Sequence, residues 1–378
     1  MRSSVTLVAA STDLDSAVGG RIDAFAGGLS RRGWDVTVID PPLPPTDMVD
    51  RLLAHAPEVL RSVPRDAGVE GDLRPGAGWG ARHGLRGAVA DVAVVSVPPF
   101  SLLWAAAVML DPRLPLVVDY RDPWSARSRP PLLARATRTI ERHALRRAAA
   151  VTYAGGPALG DLLVRRLQLT SSLVISVPNG FDAADVEGLP EVPLRPERNG
   201  QPLDLVMNGY WYGRNGPGIL LDALQRVGPA VAELTVVGGV SPPIATRLHR
   251  ATGQALVPHI AGSRRKLYER LHQADAALVT TDNASAAESR IPAKIYDYLA
   301  TGVPVIAVCP PSAALLRIPG AQRFHHAHHE DASGLTALLR STVRDRTALC
   351  PGVLRAGPTR EQGVTTLHTL LRSLVQQP

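Results

Sequence analysis

Short runs of β-branched and aliphatic residues alternate with stretches whose apolar positions recur at helical spacing, from one end of the chain to the other. This is the pattern of a parallel sheet wrapped by helices, because each parallel strand is buried on both faces and needs a crossover to bring the chain back. Strands are predicted over residues 5–9, 35–39, 91–95, 116–119, 150–153 and 173–177, and again over 203–207, 234–237, 255–258, 276–280 and 303–308. The two groups predict two doubly wound α/β domains. Between them Pro190, Pro193, Pro196 and Pro202 interrupt any regular element, which places a linker at 182–202. The expected domains are therefore 1–181 and 203–358, with 359–378 as a closing helix after the break at Pro358. Residues 71–87, rich in Gly and Arg, read as a long loop on the first domain.

Composition narrows the class. With 378 residues, 45% hydrophobic and 20% charged, the chain suits two packed cores rather than disorder. Two cysteines, Cys309 and Cys350, with no C-x-x-C pair, exclude a disulfide framework and point to a reducing, cytoplasmic setting. The apolar run at 5–10 is shorter than a signal peptide requires. The run at 100–110 falls well below the roughly 20 residues of a spanning helix. The net charge is +7, yet only Lys266 and Lys294 are lysines, and the 4% aromatic residues do not interleave with the arginines. Nucleic acid is therefore not an expected partner, and acidic small molecules or anionic lipids fit better. Arg135, Arg138, Arg142 and Arg146 recur at helical spacing, giving a basic face that is either solvated or a peripheral contact with the inner face of a membrane.

The chemistry concentrates at 291–308, I-P-A-K-I-Y-D-Y-L-A-T-G-V-P-V-I-A-V. A helix opening near Pro292 would point its first N–H groups at an anion, with Lys294 in its first turn. Asp297, three residues on, shares that face and is placed to accept from vicinal hydroxyls such as those of a ribose. The plainer alternative is an amphipathic helix with Asp297 as a solvated acid. After strand 203–207, Gly209, Gly213 and Gly216 permit close backbone approach, and Arg214 reaches a diphosphate or faces solvent in a tight turn. Arg264, Arg265 and Lys266 read as a solvated helix start, the alternative being phosphate ligands.

In the first domain, D-L-D-S-A-V-G-G at 13–20 precedes Arg21, which is expected to open a helix. Gly19 and Gly20 would let that loop approach an anion or an acceptor. V-D-Y-R-D-P-W at 118–124 follows a buried strand, where open α/β sheets place their ligands. Arg121, Asp122 and Trp124 are thus acceptor-side candidates, Asp122 as a general base, the alternative being a local ion-pair network of Asp119, Arg121 and Asp122. His325, His326, His328 and His329 beside Glu330 and Asp331 lack the spacing of a metal site and read as a solvated loop.

These segments lie in the order found in GT-B glycosyltransferases similar to family 4. Residues 291–308 resemble their donor-binding signature, in which an acid ahead of an A-x-G-x-P-V run holds the nucleotide ribose, and Asp297 stands at that position. Residues 207–224 resemble the strand, glycine-rich turn and helix that open the donor domain. Residues 258–279 resemble the segment whose loop frames the base, which implies backbone contacts from His259 and Ile260. V-P-N-G-F-D at 177–182 matches the motif with which such chains leave the first domain, and 118–124 resembles a D-x-R-D-P-W element of a bacterial subset. The family's usual Glu seven residues before the acid is Arg290 here, with Glu288 and Ser289 beside it, so Glu288 or a backbone amide takes over the contact to the sugar.

The resemblance implies two Rossmann-like doubly wound domains facing a central cleft, with the C-terminal helix crossing back to the first. It also implies transfer of a sugar from a UDP- or GDP-linked donor to a small-molecule or lipid-linked acceptor, as in natural-product or cell-envelope glycans. Lys294, with Arg214 or Arg290, would meet the diphosphate charge, and neither metal nor cofactor is expected. The Asp13-x-Asp15 pair looks like a metal doublet, but in metal-dependent glycosyltransferases that doublet belongs to a different, single-domain fold. Arg290 keeps two alternatives in play: a sugar-nucleotide epimerase or pseudo-glycosyltransferase, and a catalytically silent scaffold assisting a partner enzyme.

Overall fold

The structure is a computed structural model that describes residues 2–9, 17–40, 81, 84–122, 131–170, 173–190, 200–211, 217–240, 242–252, 264–281, 287–349, 355 and 357–376. The expected strand at 255–258, most of the loop at 71–87 and residues 191–199 of the proline-rich linker lie outside them. The chain divides into two compact units, Met1–Asn179 with Arg360–Pro378, and Gly180–Thr359.

In the first unit, β1 (Ser4–Val8) leads through α1 (Ala17–Arg31) to β2 (Asp35–Ile39). Then follow β3 (Val92–Val97), α2 (Ser101–Met109), β4 (Leu116–Tyr120), α3 (Pro131–Leu145), β5 (Ala148–Tyr153), α4 (Pro157–Leu167) and β6 (Val174–Ser176). The six strands run parallel in the order β2-β1-β3-β4-β5-β6. Every residue of β3 and β4 is buried, as expected of central strands in a sheet covered on both faces, Ser96 and Asp119 included.

The second unit contains β7 (Leu203–Trp211), α5 (Pro217–Val227), β8 (Ala232–Val240), α6 (Pro242–Thr252), α7 (Arg264–Gln273), β9 (Ala276–Thr280), α8 (Lys294–Thr301), β10 (Val305–Cys309), β11 (His325–His328) and α9 (Ala332–Arg344). Its five strands are also parallel, ordered β11-β10-β9-β7-β8. In both sheets the strand order reverses beside the first strand of the unit, between β1 and β3 and between β7 and β9. Open α/β sheets bind ligands at the carboxyl ends of strands flanking such a reversal.

The last helix, α10 (Arg360–Val375), belongs to the first unit. Val364, Leu367 and Leu371 join the core of Val5, Leu7, Phe25 and Leu29, and a Cβ on Gly28 would come within 2.5 Å of Val364. The Trp34 indole donates to His368 Nδ1 at 2.9 Å, and Glu361 pairs with Arg31 and Arg32. Burying three aliphatic side chains stabilises this docking by about 5–8 kcal/mol.

Two expectations change. The units divide at Asn179, ahead of the prolines, because Phe181, Val186 and Leu189 are buried in the core of the second unit. The Phe181 N–H bonds to the carbonyl of Pro358 at 3.2 Å, so the two crossing segments run side by side. The histidine-rich stretch is not a loop: His325–His328 pairs in parallel with β10, and His326 Nε2 lies 2.8 Å from the Cys309 carbonyl oxygen. Among the described residues no helix is long and apolar enough to cross a membrane.

Candidate functional site

Helix α8 is where the second unit concentrates its charged chemistry. Its placement follows from Tyr298, whose hydroxyl donates to the Leu278 carbonyl on β9 at 2.9 Å and accepts from the Asn208 N–H on β7 at 3.2 Å. One phenol thus fastens the helix to both strands of the reversal. Pro292 precedes the helix, and the Ile295 and Tyr296 amides bond back to the carbonyls of Pro292 and Ala293 at 3.0 and 3.1 Å. Gly302, at φ +67°, ends it.

Lys294 is the first residue of α8. A Cβ built on Gly209, at φ +83° near the carboxyl end of β7, would lie 3.9 Å from Lys294 Nζ, so the ammonium rests over bare backbone. Gly238 on β8 packs more tightly still against Gly209: a Cβ there would meet the Gly209 carbonyl oxygen at 2.6 Å. The missing side chain at Gly209 lets the ammonium approach the backbone, and the missing one at Gly238 lets β7 and β8 pack closely there. Desolvation pulls the Lys294 ammonium down to about 8, with the negative charge of Asp297 partly offsetting it. A second anion here would favour the charged form.

Asp297 is buried and already engaged. Its Oδ1 accepts from Arg264 at 2.9 Å and from the Tyr268 hydroxyl at 3.0 Å, and its Oδ2 accepts from Asn208 Nδ2 at 2.8 Å. Neither the solvated acid nor the open ribose acceptor of the sequence reading describes this carboxylate: three of its roughly four acceptor sites are filled by the protein. Arg264, read from sequence as a solvated helix start, is its ion-pair partner and also lies 3.9 Å from Asp185. Burial works against the Arg264 charge, but Asp297, Tyr268 and Asp185 outweigh it and raise the pKa. Burial, reinforced by Asp297, raises the Tyr268 phenol as well, keeping it a neutral donor.

Glu288 is exposed and Arg290 half-buried in the segment just before α8. Gly213, Arg214, His259 and Ile260 lie outside the described residues. Asn208, Tyr268, Tyr298 and Asp185 escaped the sequence reading, because each acts through a partner 29 or more residues away, or, for Tyr298, across to other strands.

In the first unit the structure corrects Arg21. It lies within α1 rather than opening it, is 4% exposed, and spends its donors internally. Nε and Nη2 form a fork with Asp119 at 3.0 and 2.7 Å, Nη1 donates to Asn179 at 3.0 Å, and Nη2 also donates to the Val177 carbonyl at 2.8 Å. Four of five N–H groups are used, which removes Arg21 from the ligand-binding set. Burial alone would raise the Asp119 carboxyl, but the charge of Arg21 and hydrogen bonds from Arg21, Thr152 and Ser96 hold it below the ordinary carboxylate range. The local network expected of Asp119 thus runs to Arg21.

Gly19 and Gly20 are helical in α1 rather than in a loop, and a Cβ on Gly20 would come within 2.8 Å of the Arg360 guanidinium. Arg121 and Asp122 follow β4 directly, half-buried, at the carboxyl edge of the sheet, with the Arg121 N–H bonded to the Val97 carbonyl at 2.9 Å. Trp124, Asp13 and Asp15 lie outside the described residues. Among the described residues no cluster of His, Cys, Asp or Glu could hold a metal ion.

Residues 18–185 match the family model described as Glycosyltransferase Family 4. No curated protein matches the chain. Among solved structures, a glycosyltransferase from Rickettsia africae is similar over 100% of both chains at 12% identity and a TM-score of 0.64. Sucrose-phosphate synthase from Thermosynechococcus elongatus is similar over 99% of this chain and 96% of its own, at 14% identity and a TM-score of 0.61. An Anabaena protein solved in complex with UDP is similar over 99% and 98%, at 16% identity and a TM-score of 0.56. With two parallel Rossmann-like units and a family match across most of the first, the chain is a GT-B-fold protein similar to glycosyltransferase family 4.

Proposed function

We propose that this chain is a glycosyltransferase that takes its sugar from a nucleoside-diphosphate donor bound in the second unit. The observation that carries the reading is the Lys294 ammonium poised over Gly209 at the strand reversal, partly desolvated and only partly neutralised. A diphosphate at that place meets a compact cation and the first turn of α8. As the glycosidic bond breaks, negative charge grows on the diphosphate, and a fixed cation counters it without reorganisation. Arg290 or Arg214 supplies the second positive group, and Glu288 is placed for the sugar hydroxyls. The base and ribose fall to the backbone at His259 and Ile260 and to the region of Asp297, whose own task is to hold Arg264 and sustain the charge of Lys294.

Asp122, at the carboxyl edge of the first sheet, is the proposed base toward an acceptor hydroxyl, with Arg121 and Trp124 beside it. The donor carries UDP or GDP, the acceptor is a small molecule or a lipid-linked glycan, and the departing charge is met without a metal ion.

Incubating the protein with UDP-, GDP- and dTDP-sugars and following release of the nucleoside diphosphate tests this reading. Release from one donor class, slowed about tenfold or more by Lys294→Ala, is expected. Saturable nucleotide binding with no release from any donor would sink the transferase and leave the scaffold reading.

A further inference from the structure

Helix α2, S-L-L-W-A-A-A-V-M, has no charged residue, yet it lies at the surface. Leu102, Leu103, Ala105 and Ala106 face the core, while Trp104 and Val108, one turn apart, are 46% and 62% exposed. A helix apolar on every side belongs in an interior, so the outward face of α2 calls for a covering surface. The adjacent α3 extends the patch: Ile140 is 42% exposed, and the ring of His143 lies 6.1 Å from that of Trp104.

The rim of the patch is basic. Arg135 is exposed on α3 and Arg146 just past its end, while Arg142 is turned toward α4, bonding to the Arg166 carbonyl at 2.9 and 3.2 Å. Arg147 donates to the Ala106, Ala107 and Leu110 carbonyls at 3.0–3.3 Å, closing the end of α2 with a positive charge. The one acid of α3, Glu141, is buried and accepts from the Tyr120 hydroxyl at 2.8 Å. Asp111, at the end of α2, is the exposed acid nearby.

We propose that this α2–α3 surface docks on an anionic bilayer, with Trp104, Val108 and Ile140 entering the headgroup–acyl boundary and the arginines pairing with lipid phosphates. The charge complementarity selects the occupant: an apolar centre flanked by Arg135, Arg146 and Arg147, without an exposed acid on α3, matches a surface that is anionic at the headgroups and apolar just beneath. A tryptophan flanked by short aliphatics suits that depth.

The test is flotation of the full chain with vesicles of equimolar phosphatidylglycerol and phosphatidylcholine, and with vesicles of phosphatidylcholine alone. The protein floats with the anionic vesicles and not with the neutral ones. Trp104→Glu with Val108→Glu, and separately Arg135→Glu with Arg146→Glu, each weaken partitioning about tenfold or more at an unchanged melting temperature. Failure to float with either vesicle overturns the proposal, as does equal flotation with both, or anionic binding that survives Trp104→Glu with Val108→Glu. A dimer seen by light scattering and dissolved by that pair, without vesicle binding, would give the surface to a second copy of the chain instead.

Discussion

Replacing Asp297 by Asn separates a structural carboxylate from a free ligand acceptor. The amide oxygen can keep Arg264 and Tyr268, and its NH2 then faces Asn208, whose own amide can turn to accept. The charge is nonetheless gone. The ion pair with Arg264 becomes a bond from a cation to a neutral oxygen, Arg264 keeps only Asp185 at 3.9 Å as a counter-charge, and Lys294 loses the charge that offsets its desolvation. Exchanging an ion pair for a bond to a neutral acceptor, and so leaving a partly buried cation under-compensated, costs about 2–3 kcal/mol. For a unit of this size that is a fall of about 4–12 °C in the melting temperature. Calorimetry of Asp297→Asn, Arg264→Met and the double variant measures both the loss and the coupling. The double variant should recover part of the loss. A melting temperature within about 1 °C of wild type, or no coupling in the cycle, would refute the network and return Asp297 to the role of an open acceptor.

Three further outcomes are expected. Lys294 sits near 8 in the free protein, and a bound diphosphate favours its charged form, so nucleoside-diphosphate affinity falls as pH rises through 8 toward 9, by up to about tenfold per unit. Calorimetric titration at three pH values reads this, and a flat profile counts against contact with Lys294. Arg21→Met strands Asp119 at 0% exposure and costs about 3–5 kcal/mol in urea unfolding. Because the Asp119 carboxyl is held low, its contribution is present above the ordinary carboxylate range and is lost as pH falls through and below it, so the variant and wild type should converge in acid. Donor turnover should survive EDTA, and loss restored by magnesium or manganese would bring Asp13 and Asp15 back into consideration.

The pattern of the chain was most legible where burial dictates sequence. Strand 276–280 was located to the residue because a parallel strand covered on both faces must be an apolar run bounded by polar turns, whereas 35–39, an edge strand with no buried residue, was legible from its β-branched V-T-V-I run. β11 was missed because edge position lets it carry H-H-A-H, which has no apolar run to detect. The site was legible only locally: Lys294 and Asp297 share one short helix, whereas Arg264, Tyr268 and Asn208 reach Asp297 from 29 to 89 residues away. Arg21 misled because a buried arginine satisfied by a buried carboxylate has the same sequence signature as one waiting for an anion. Its partner, Asp119, lies 98 residues on.

The central claim, that the second unit grips a donor diphosphate through Lys294, is tested most directly by titrating wild type and Lys294→Ala with UDP, GDP and dTDP and with the corresponding nucleosides. The account predicts that one nucleoside diphosphate binds wild type well above its nucleoside, and that Lys294→Ala removes about tenfold or more of the diphosphate's affinity while leaving the nucleoside's unchanged. Diphosphate affinity within about twofold of wild type in Lys294→Ala, a difference of only about 0.4 kcal/mol, would contradict it.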